Sequence, residues 1–377
     1  MAWIMIWDGT ALVYPGQPPM PPAQSTQTHN RLGEPWGGVP TNSTAGLITS
    51  EAALTAYNAE STQDVTIPSG AEISSKIIYG KIQFAGSATL RNCLLVGPSN
   101  PLLSGNEGVV NCTNTRTGQA RLFDCEIRPR TESIGRNCLL GDQYELYGCW
   151  LHGGEDGAGI YPRPAGATIA DVVVAGCLIE DFAYAYPDRD HSDGSHCDGI
   201  QIQGGTNIHI IGNAIWMTGH YMAGSGKFYT ANPSSSNGDW TLTKTPPQAP
   251  GSGIIIHNSV SAPFNETVII EKNHIFYGGK MAVQIQSTAN NFIFRDNKLS
   301  ALYPPASNVN GTMHEGTTLA FTYNPYWIRI FNLAASGNIN GLTSGGAVSN
   351  TTNTWADGGN AGNPLTTPRA SGIHIDA

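Results

Sequence analysis

The sequence predicts an all-β protein: a right-handed parallel β-helix, in which coils of about 24 residues stack on one another. Three observations predict this fold. A short pattern recurs along the chain, apolar segments bounded by glycine fall between its copies, and only 12% of the residues are charged. Globular proteins usually contain roughly 25% charged residues. Because surface helices need charged faces, this composition disfavours a mainly helical protein.

The recurring pattern is an apolar residue, two further residues, Cys or Asn, one residue, and a second apolar residue. Its copies are Leu90-Cys93-Leu95, Leu122-Cys125-Ile127, Leu146-Cys149-Leu151, Val174-Cys177-Ile179, Ile210-Asn213-Ile215, Ile270-Asn273-Ile275 and Phe294-Asn297-Leu299. The steps between the Cys or Asn positions are 32, 24, 28, 36, 60 and 24 residues. These steps indicate a unit of about 24 residues with insertions of different lengths. The stacked positions predict core thiols rather than disulfides at the cysteines, and a hydrogen-bonded ladder at the asparagines.

A second apolar strand is expected between successive copies of the pattern. These second strands are Gly108–Cys112, Asn137–Leu140, Gly159–Tyr161, Gly199–Gln203, Gly253–His257, Ala282–Gln286 and Leu319–Tyr323. Short strands with glycine turns at a fixed period favour a solenoid, in which each unit covers the apolar face of its neighbour. The right-handedness follows from the general rule for parallel crossover connections.

The ends of the chain differ in composition from the repeats. Residues 1–45 are rich in Pro, Gly, Gln and Thr and are expected to form an irregular arm that docks to a larger assembly. Residues 46–64 are expected to cap the open end of the solenoid with a short helix, Ser50–Tyr57, whose N-cap is Thr49. The β-helix itself is predicted over residues 65–335. Residues 336–377, rich in Gly, Asn, Ser and Thr, form a predicted C-terminal contact segment.

Charge and hydropathy exclude two classes of partner. The net charge is -9 and no basic run is present, so nucleic acid is not an expected ligand. No apolar stretch approaches the roughly 18 residues of a membrane span. The opening MAWIMIW is short, lacks a basic flank and is followed by Asp8, so a secretory signal is not expected.

The densest group of polar residues lies between Ile179 and Ile200, in one of the longer insertions. Loops on a rigid scaffold commonly carry function. The candidate catalytic residues are Asp156, Asp193, His196, Asp198 and Lys280. Aligning the second strands on their isoleucines places Asp156 over His196. The residues expected to point outward beside them are candidates for glycan binding: Tyr161, Arg163, Gln201, Gln203, His257, Gln284 and Gln286.

Four interpretations of this group stay open. In the first, the three aspartates include the acid and base of a glycoside hydrolase. In the second, Lys280 or His196 is the base of a polysaccharide lyase, and Arg163 or a bound Ca²⁺ stabilises the developing charge. In the third, His191 joins the neighbouring Asp and His side chains in a metal site. In the fourth, the polar groups cap strands and turns, which Asp-Gly pairs commonly do. No cofactor beyond the Ca²⁺ alternative is expected.

A family resemblance adds to these observations. The segment HCDGIQIQGGTNIHIIGNAI, residues 196–215, resembles segments of β-helical tail proteins from phages that infect actinobacteria. The stretches VTIPSGAEISSKIIYGKIQFAG and NTWADGG are similar to parts of the same proteins, so the resemblance covers about residues 40–360. The wider class has the pectate-lyase-like fold. The chain lacks the paired Asp motifs and G-H-G segment of polygalacturonases, which argues against a galacturonan hydrolase.

The resemblance implies a minor tail protein or tailspike of the virion, assembled in the host cytoplasm, often as a homotrimer. Its partners would be other phage tail proteins and the cell-wall or capsule polysaccharide of the host. The expected function is recognition of this polysaccharide, and whether the protein also cleaves it stays open. The rival interpretations are a free polysaccharide lyase or glycoside hydrolase, and a purely structural tail component without a glycan site.

Overall fold

The computed structural model describes 21 segments of the chain. These are residues 6–7, 12–13, 39–41, 44–98, 107–112, 118–130, 136–161, 170–186, 197–217, 219–223, 227–230, 251–256, 268–276, 281–286, 292–299, 326–330, 343–344, 347–348, 352–356, 361–365 and 373–375. Within these segments, no helix has the length and apolar character needed to cross a membrane.

Three long sheets, in which every strand pair is parallel, build the solenoid. Sheet A contains Asp64–Ile67, Lys81–Phe84, Glu107–Cys112, Arg136–Gly141, Asp156–Ile160, Ile200–Ile202, Ser252–Ile256, Met281–Ile285, Tyr326–Ile330 and Ile373–Ile375. Sheet B contains Glu72–Ser74, Ala88–Arg91, Ala120–Phe123, Tyr144–Tyr147, Ala170–Ala175, Thr206–Ile211, Val268–Glu271 and Phe292–Arg295. Sheet C contains Thr55–Ala56, Lys76–Tyr79, Leu94–Val96, Glu126–Arg128, Trp150–His152, Leu178–Glu180, Ala214–Trp216, His274–Phe276, Lys298–Leu299 and Thr354–Trp355. The predicted parallel β-helix is therefore confirmed as a fold class, while its handedness stays a prediction.

Each coil runs from sheet B to sheet C and then to sheet A, so a coil has three strands. The recurring pattern spans the tight corner between sheets B and C. Its first apolar residues are register partners in sheet B, from Leu90 with Leu122 to Ile270 with Phe294. Its second apolar residues are partners in sheet C, ending with Ile275 and Leu299. The alignment of all seven copies is therefore confirmed.

The Cys and Asn positions form two consecutive ladders inside the solenoid. The predicted core thiols Cys93, Cys125, Cys149 and Cys177 are buried and free, and so are the other three cysteines of the chain. In the later coils, the Nδ2 of Asn213 donates to the Oδ1 of Asn273 at 2.9 Å, and Asn273 donates in the same way to Asn297. Asn297 donates to Asn353, which adds one further member that the pattern did not include. Each of these asparagines is fully buried, so the ladder satisfies polar groups that would otherwise be costly.

A residue with a left-handed backbone conformation, that is with positive φ, forms the corner just before each Cys or Asn of the pattern. Asn92 has φ 50°, Asp124 has φ 51° and Lys272 has φ 59°. Glycine occupies the same corner at Gly148, Gly176 and Gly212, and Asp296 completes the set. Glycine, Asn and Asp tolerate this conformation best. The corner therefore explains the residue types that precede the buried ladder.

The first coil is capped differently from the prediction. The predicted helix Ser50–Tyr57 is wrong in extent, because only the 3-10 helix Glu51–Ala53 is present and no side chain caps its start. The next strand, Thr55–Ala56, pairs with Lys76 and Ile77 at the edge of sheet C. Pairing with this open edge satisfies backbone groups that a longer helix would leave unpaired on the sheet.

The sheets extend beyond the predicted limits of the β-helix at both ends. Sheet C begins at Thr55 and includes Thr354–Trp355, while sheet A includes Ile373–Ile375. The predicted second strand Leu319–Tyr323 lies outside the described residues, and the strand that follows Met281–Ile285 in sheet A is Tyr326–Ile330.

Small sheets lie beside the three long ones. A three-stranded side sheet consists of Phe182–Tyr186, Gly219–Ala223 and Lys227–Thr230. Its first strand is joined to the preceding coil by a hydrogen bond from the Ala183 N–H to the Gly154 carbonyl, 2.8 Å. Two short antiparallel pairs, Ile6–Trp7 with Leu12–Val13 and Thr343–Ser344 with Ala347–Val348, complete the strands.

Candidate functional site

The candidate site lies on the outer face of sheet A. Ile160, Ile200 and Ile202 belong to the hydrophobic core. Side chains alternate between the two faces of a strand, so Gly159 and its register partner Gln201 belong to the outer face. A Cβ atom built on Gly159 would lie 2.5 Å from both the Asn137 Nδ2 and the Tyr161 ring. Asn137 and Tyr161 therefore converge above this glycine, on the side of the sheet away from the core.

Two aspartates on neighbouring coils join this group. The backbone N–H of Asp198 donates to the Oδ1 of Asp156 at 2.7 Å. The Oδ1 of Asp198 in turn accepts the N–H of Ser252, on the next coil, at 2.6 Å. Each carboxyl group thus holds the start of the following strand with one oxygen. This is strand capping, the fourth of the interpretations of these polar residues.

The register of these strands differs from the prediction by two residues. Ala158 pairs with Ile200 and Ile160 with Ile202, so Asp156 lies level with Asp198 rather than with His196. The predicted alignment of Ile200 with Ile254 and Val283 is confirmed. A shift of two residues keeps every side chain on its own face, so the apolar pattern could not exclude it.

Burial changes the protonation of both carboxyl groups. Burial raises the pKa of Asp198 to about 8, although the hydrogen bond from Ser252 lowers it and the nearby charge of Glu155 raises it further. Burial also raises the pKa of Asp156 well above its ordinary value, and the charge of Asp198 adds to the increase. Asp198 is only 4% exposed. At pH 7 its carboxyl group is therefore mostly protonated and can donate a proton as well as accept a hydrogen bond.

Tyr161 links the two carboxyl groups to the amides around them. Burial raises its pKa well above the ordinary value, and the charges of Asp156 and Asp198 act in the same direction. The side chains of Gln203 and Asn137 lie close enough to the hydroxyl to oppose this increase in pKa. The phenol stays neutral as a result. The neutral hydroxyl therefore lies close to the Gln203 and Asn137 amides, within range of the charges of Asp156 and Asp198.

The remaining glutamines of the prediction follow the same face of sheet A. Gln284 lies in the row of Gly159, Gln201 and Ile255 and is 7% exposed. Gln286 follows the end of its strand and is exposed. The row therefore runs from the cluster toward the C-terminal coils, and Gln286 lies two residues beyond it along the chain.

Several predicted site residues lie outside the described residues. They are the catalytic candidates Asp193, His196 and Lys280 and the glycan-binding candidates Arg163 and His257. His191, from the metal interpretation, lies outside them as well. In the described part of the chain, no three His, Cys, Asp or Glu side chains are grouped closely enough to hold a metal ion.

Two residues of the cluster were not among the predicted site residues. Asn137 was predicted only as the start of a strand, although it is the register partner of Asp156. Ser252, whose N–H binds Asp198, follows a long insertion and has no charged neighbour that would have marked it. Only the correct register of sheet A brings them to the site.

Comparisons with protein-family models, curated proteins and solved structures found no match to this chain. The chain is a parallel β-helix protein by its structure alone, and the geometry of the cluster is the basis for its functional assignment.

Proposed function

We propose that this protein is a phage tail protein whose β-helix binds the cell-surface polysaccharide of the host at the cluster of Asp156, Asp198 and Tyr161. The observation that carries the proposal is the grouping of these side chains from neighbouring coils: Asp156 accepts the backbone N–H of Asp198, and both carboxyl groups raise the pKa of Tyr161. Carboxyl, hydroxyl and amide groups are the donors and acceptors that match sugar hydroxyls. The placement in a tail rests on the resemblance of residues 196–215 to β-helical tail proteins.

Cleavage of the bound polysaccharide is the second proposal, and the raised pKa of Asp198 favours it. A carboxyl group that stays protonated near neutral pH can act as a general acid. Asp156 lies level with Asp198 on the neighbouring strand of sheet A, and glycosidases use a pair of carboxyl groups on opposite sides of the scissile bond. Asp156 would then act as the partner of Asp198.

The test is incubation of the purified protein with host cell-wall polysaccharide, with and without EDTA. Bound polymer, new reducing ends and the absorbance of unsaturated uronate are measured together. Binding that Asp198→Asn weakens would support the binding site, and no binding by the wild type would overturn it. Reducing ends alone would support a hydrolase. Uronate absorbance would instead support a lyase, and its loss in EDTA would implicate Ca²⁺.

In the tail, residues 1–45 are the proposed docking arm and the protein is a proposed homotrimer. Deleting residues 1–40 should abolish incorporation into virions without changing the far-ultraviolet circular dichroism of the β-helix. Normal incorporation of the truncated chain would contradict the docking role. Sedimentation of the full-length protein measures its oligomeric state. A protein that stays monomeric at the concentrations expected during virion assembly would contradict the homotrimer.

A further inference from the structure

One arginine on sheet B has no acidic partner in the described part of the chain. The side chains of five arginines are described there, and four of them form an ion pair with a glutamate: Arg121, Arg128, Arg130 and Arg295. Arg91 forms none, and its guanidinium donors have no hydrogen-bond acceptor among the described residues. Because the chain carries 28 acidic residues against 19 basic ones, a guanidinium without a carboxylate partner stands out.

The guanidinium of Arg91 lies at the end of a stack of aromatic rings. Its Cζ is 3.9 Å from the centre of the Phe123 ring. That ring is stacked on Tyr147, with a centroid distance of 5.1 Å and an interplanar angle of 15°. The three residues are register partners on adjacent coils. Phe123 and Tyr147 are buried, whereas Arg91 is exposed. The packed rings therefore support an exposed cation and reduce its freedom before a ligand binds.

The residues next to Arg91 on the outer face of sheet B carry hydroxyl groups. Ser74 is its register partner in the first coil and is exposed, and Thr89 lies two residues earlier on the same strand. Glu72, the register partner of Thr89, is exposed as well and is not paired with Arg91. Hydroxyl groups and a guanidinium donate hydrogen bonds to carboxylate and phosphate oxygens, and the planar guanidinium can donate two at once. These donors are the ones that an anion-binding site needs.

We propose that Arg91, held over Phe123, binds an anionic group of the polysaccharide, a carboxylate or a phosphate, on the outer face of sheet B. This site is separate from the cluster described above, which lies on sheet A. The inference rests on the proposed function, because it adds a second contact with the same polymer and names the charge of the sugar unit that makes it. The net charge of -9 repels polyanions in general, so retention of a polyanion requires a local cationic site.

The first experiment measures binding of the purified protein to three immobilised polymers at about 50 mM salt, where charges are weakly screened. Polygalacturonate carries carboxylates, poly(glycerol phosphate) carries phosphates, and dextran is neutral. The protein is expected to bind at least one anionic polymer and not dextran, and the polymer that it binds more tightly identifies the anionic group. No binding to either anionic polymer, or equal binding to dextran, would overturn the inference. Binding of host polysaccharide that depends on Asp198 is measured separately and tests the proposed function.

The second experiment compares Arg91→Gln with Arg295→Gln on the anionic polymer. Arg295 is the matched control, because it is an exposed arginine of sheet B whose guanidinium is already paired with Glu271 at 2.7 Å. Arg91→Gln should weaken binding about tenfold, the effect of one charged hydrogen bond. Arg295→Gln should change it by less than about twofold. Equal losses would show an effect of net charge alone, and normal binding by Arg91→Gln would show no contact with the polymer. Either result would overturn the inference.

Two further measurements separate ligand binding from packing. Phe123→Leu removes the aromatic ring without changing the charge and should weaken binding about threefold. The urea midpoint of Arg91→Gln should equal that of the wild type, because the arginine is exposed. An Arg91→Gln protein with a lower midpoint and an unchanged affinity would show that Arg91 only covers the Phe123 ring.

Discussion

Asp198→Asn removes a buried carboxyl group whose pKa is raised to about 8 from an ordinary value of 3.8. A raised pKa in the folded state means that the folded protein binds this proton more tightly than the unfolded chain. The stabilisation is fully present below about pH 4 and is lost as the pH rises toward 8. Within this window the free energy of unfolding should fall by at most about 1.4 kcal/mol per pH unit because of this group.

From pH 5 to pH 7 the change amounts to about 3 kcal/mol. Urea unfolding of the wild type and of Asp198→Asn, at a series of pH values, measures it. As the pH rises, the free energy of unfolding of Asp198→Asn should increase relative to that of the wild type, because an asparagine does not ionise. The amide Oδ1 can still accept the N–H of Ser252, so the variant should fold at every pH.

Asp198→Ala is the matched control for this experiment. It removes both the titrating group and the acceptor for Ser252, so its pH profile should follow that of Asp198→Asn, in which only the other titrating groups, Asp156 among them, remain. Its stability should be lower than that of Asp198→Asn by about 1–3 kcal/mol at every pH, the cost of an unpaired buried N–H. Parallel profiles for the wild type and both variants would show that Asp198 titrates normally, and would refute the reasoning about its burial.

Three further predictions concern the scaffold and are measured by urea unfolding at one pH. Asn273→Ala removes four side-chain hydrogen bonds of the ladder and should lower the free energy of unfolding by about 4 kcal/mol. Cys149→Ala, at a thiol position of the same row, should lower it by only about 1 kcal/mol. Equal decreases for the two variants would argue against the asparagine ladder. Gly199→Ala should cost about 1–3 kcal/mol, because its Cβ would lie 2.5 Å from a backbone oxygen of Gly253; an unchanged midpoint would contradict this close packing. Lys272→Gly should stabilise the protein by about 0.5–1 kcal/mol, because the residue has φ 59°; destabilisation would contradict the strained corner.

The repeat could be predicted from the sequence because two requirements fix its positions, one on the buried Cys or Asn and one on the apolar residues that flank it. The buried Cys or Asn and the two flanking apolar residues must all face the interior, so a wrong alignment would break several contacts at once. The left-handed corner is a third signal in the sequence, which the predicted pattern did not include. Asn92, Asp124 and Gly148 precede their ladder residues with the residue types that this conformation favours.

Sheet A could be predicted only in part, because its strands carry a weaker signal. Ala158 and Ile160 are both apolar and two residues apart, so either could pair with Ile200 without exposing a core residue. The choice between them decides which polar residue lies beside Asp156. Asn137 was missed for the same reason, since its role appears only when its strand is in register with Asp156.

The first coil shows how tertiary pairing overrides local preference. Thr49, Ser50 and Glu51 have the residue types of a helix start. The chain nevertheless leaves the helical conformation at Leu54, whose ψ is 153°, and forms the terminal strand of sheet C. The energy of completing a sheet edge depends on the strand that lies next to it, which the local sequence does not encode.

The most direct test of polysaccharide binding at the cluster is a crystal structure of the protein with oligosaccharides from the host cell wall. We expect a sugar against sheet A, with its ring beside Tyr161 and Asp198. Sugars bound only on other faces of the solenoid would contradict the account.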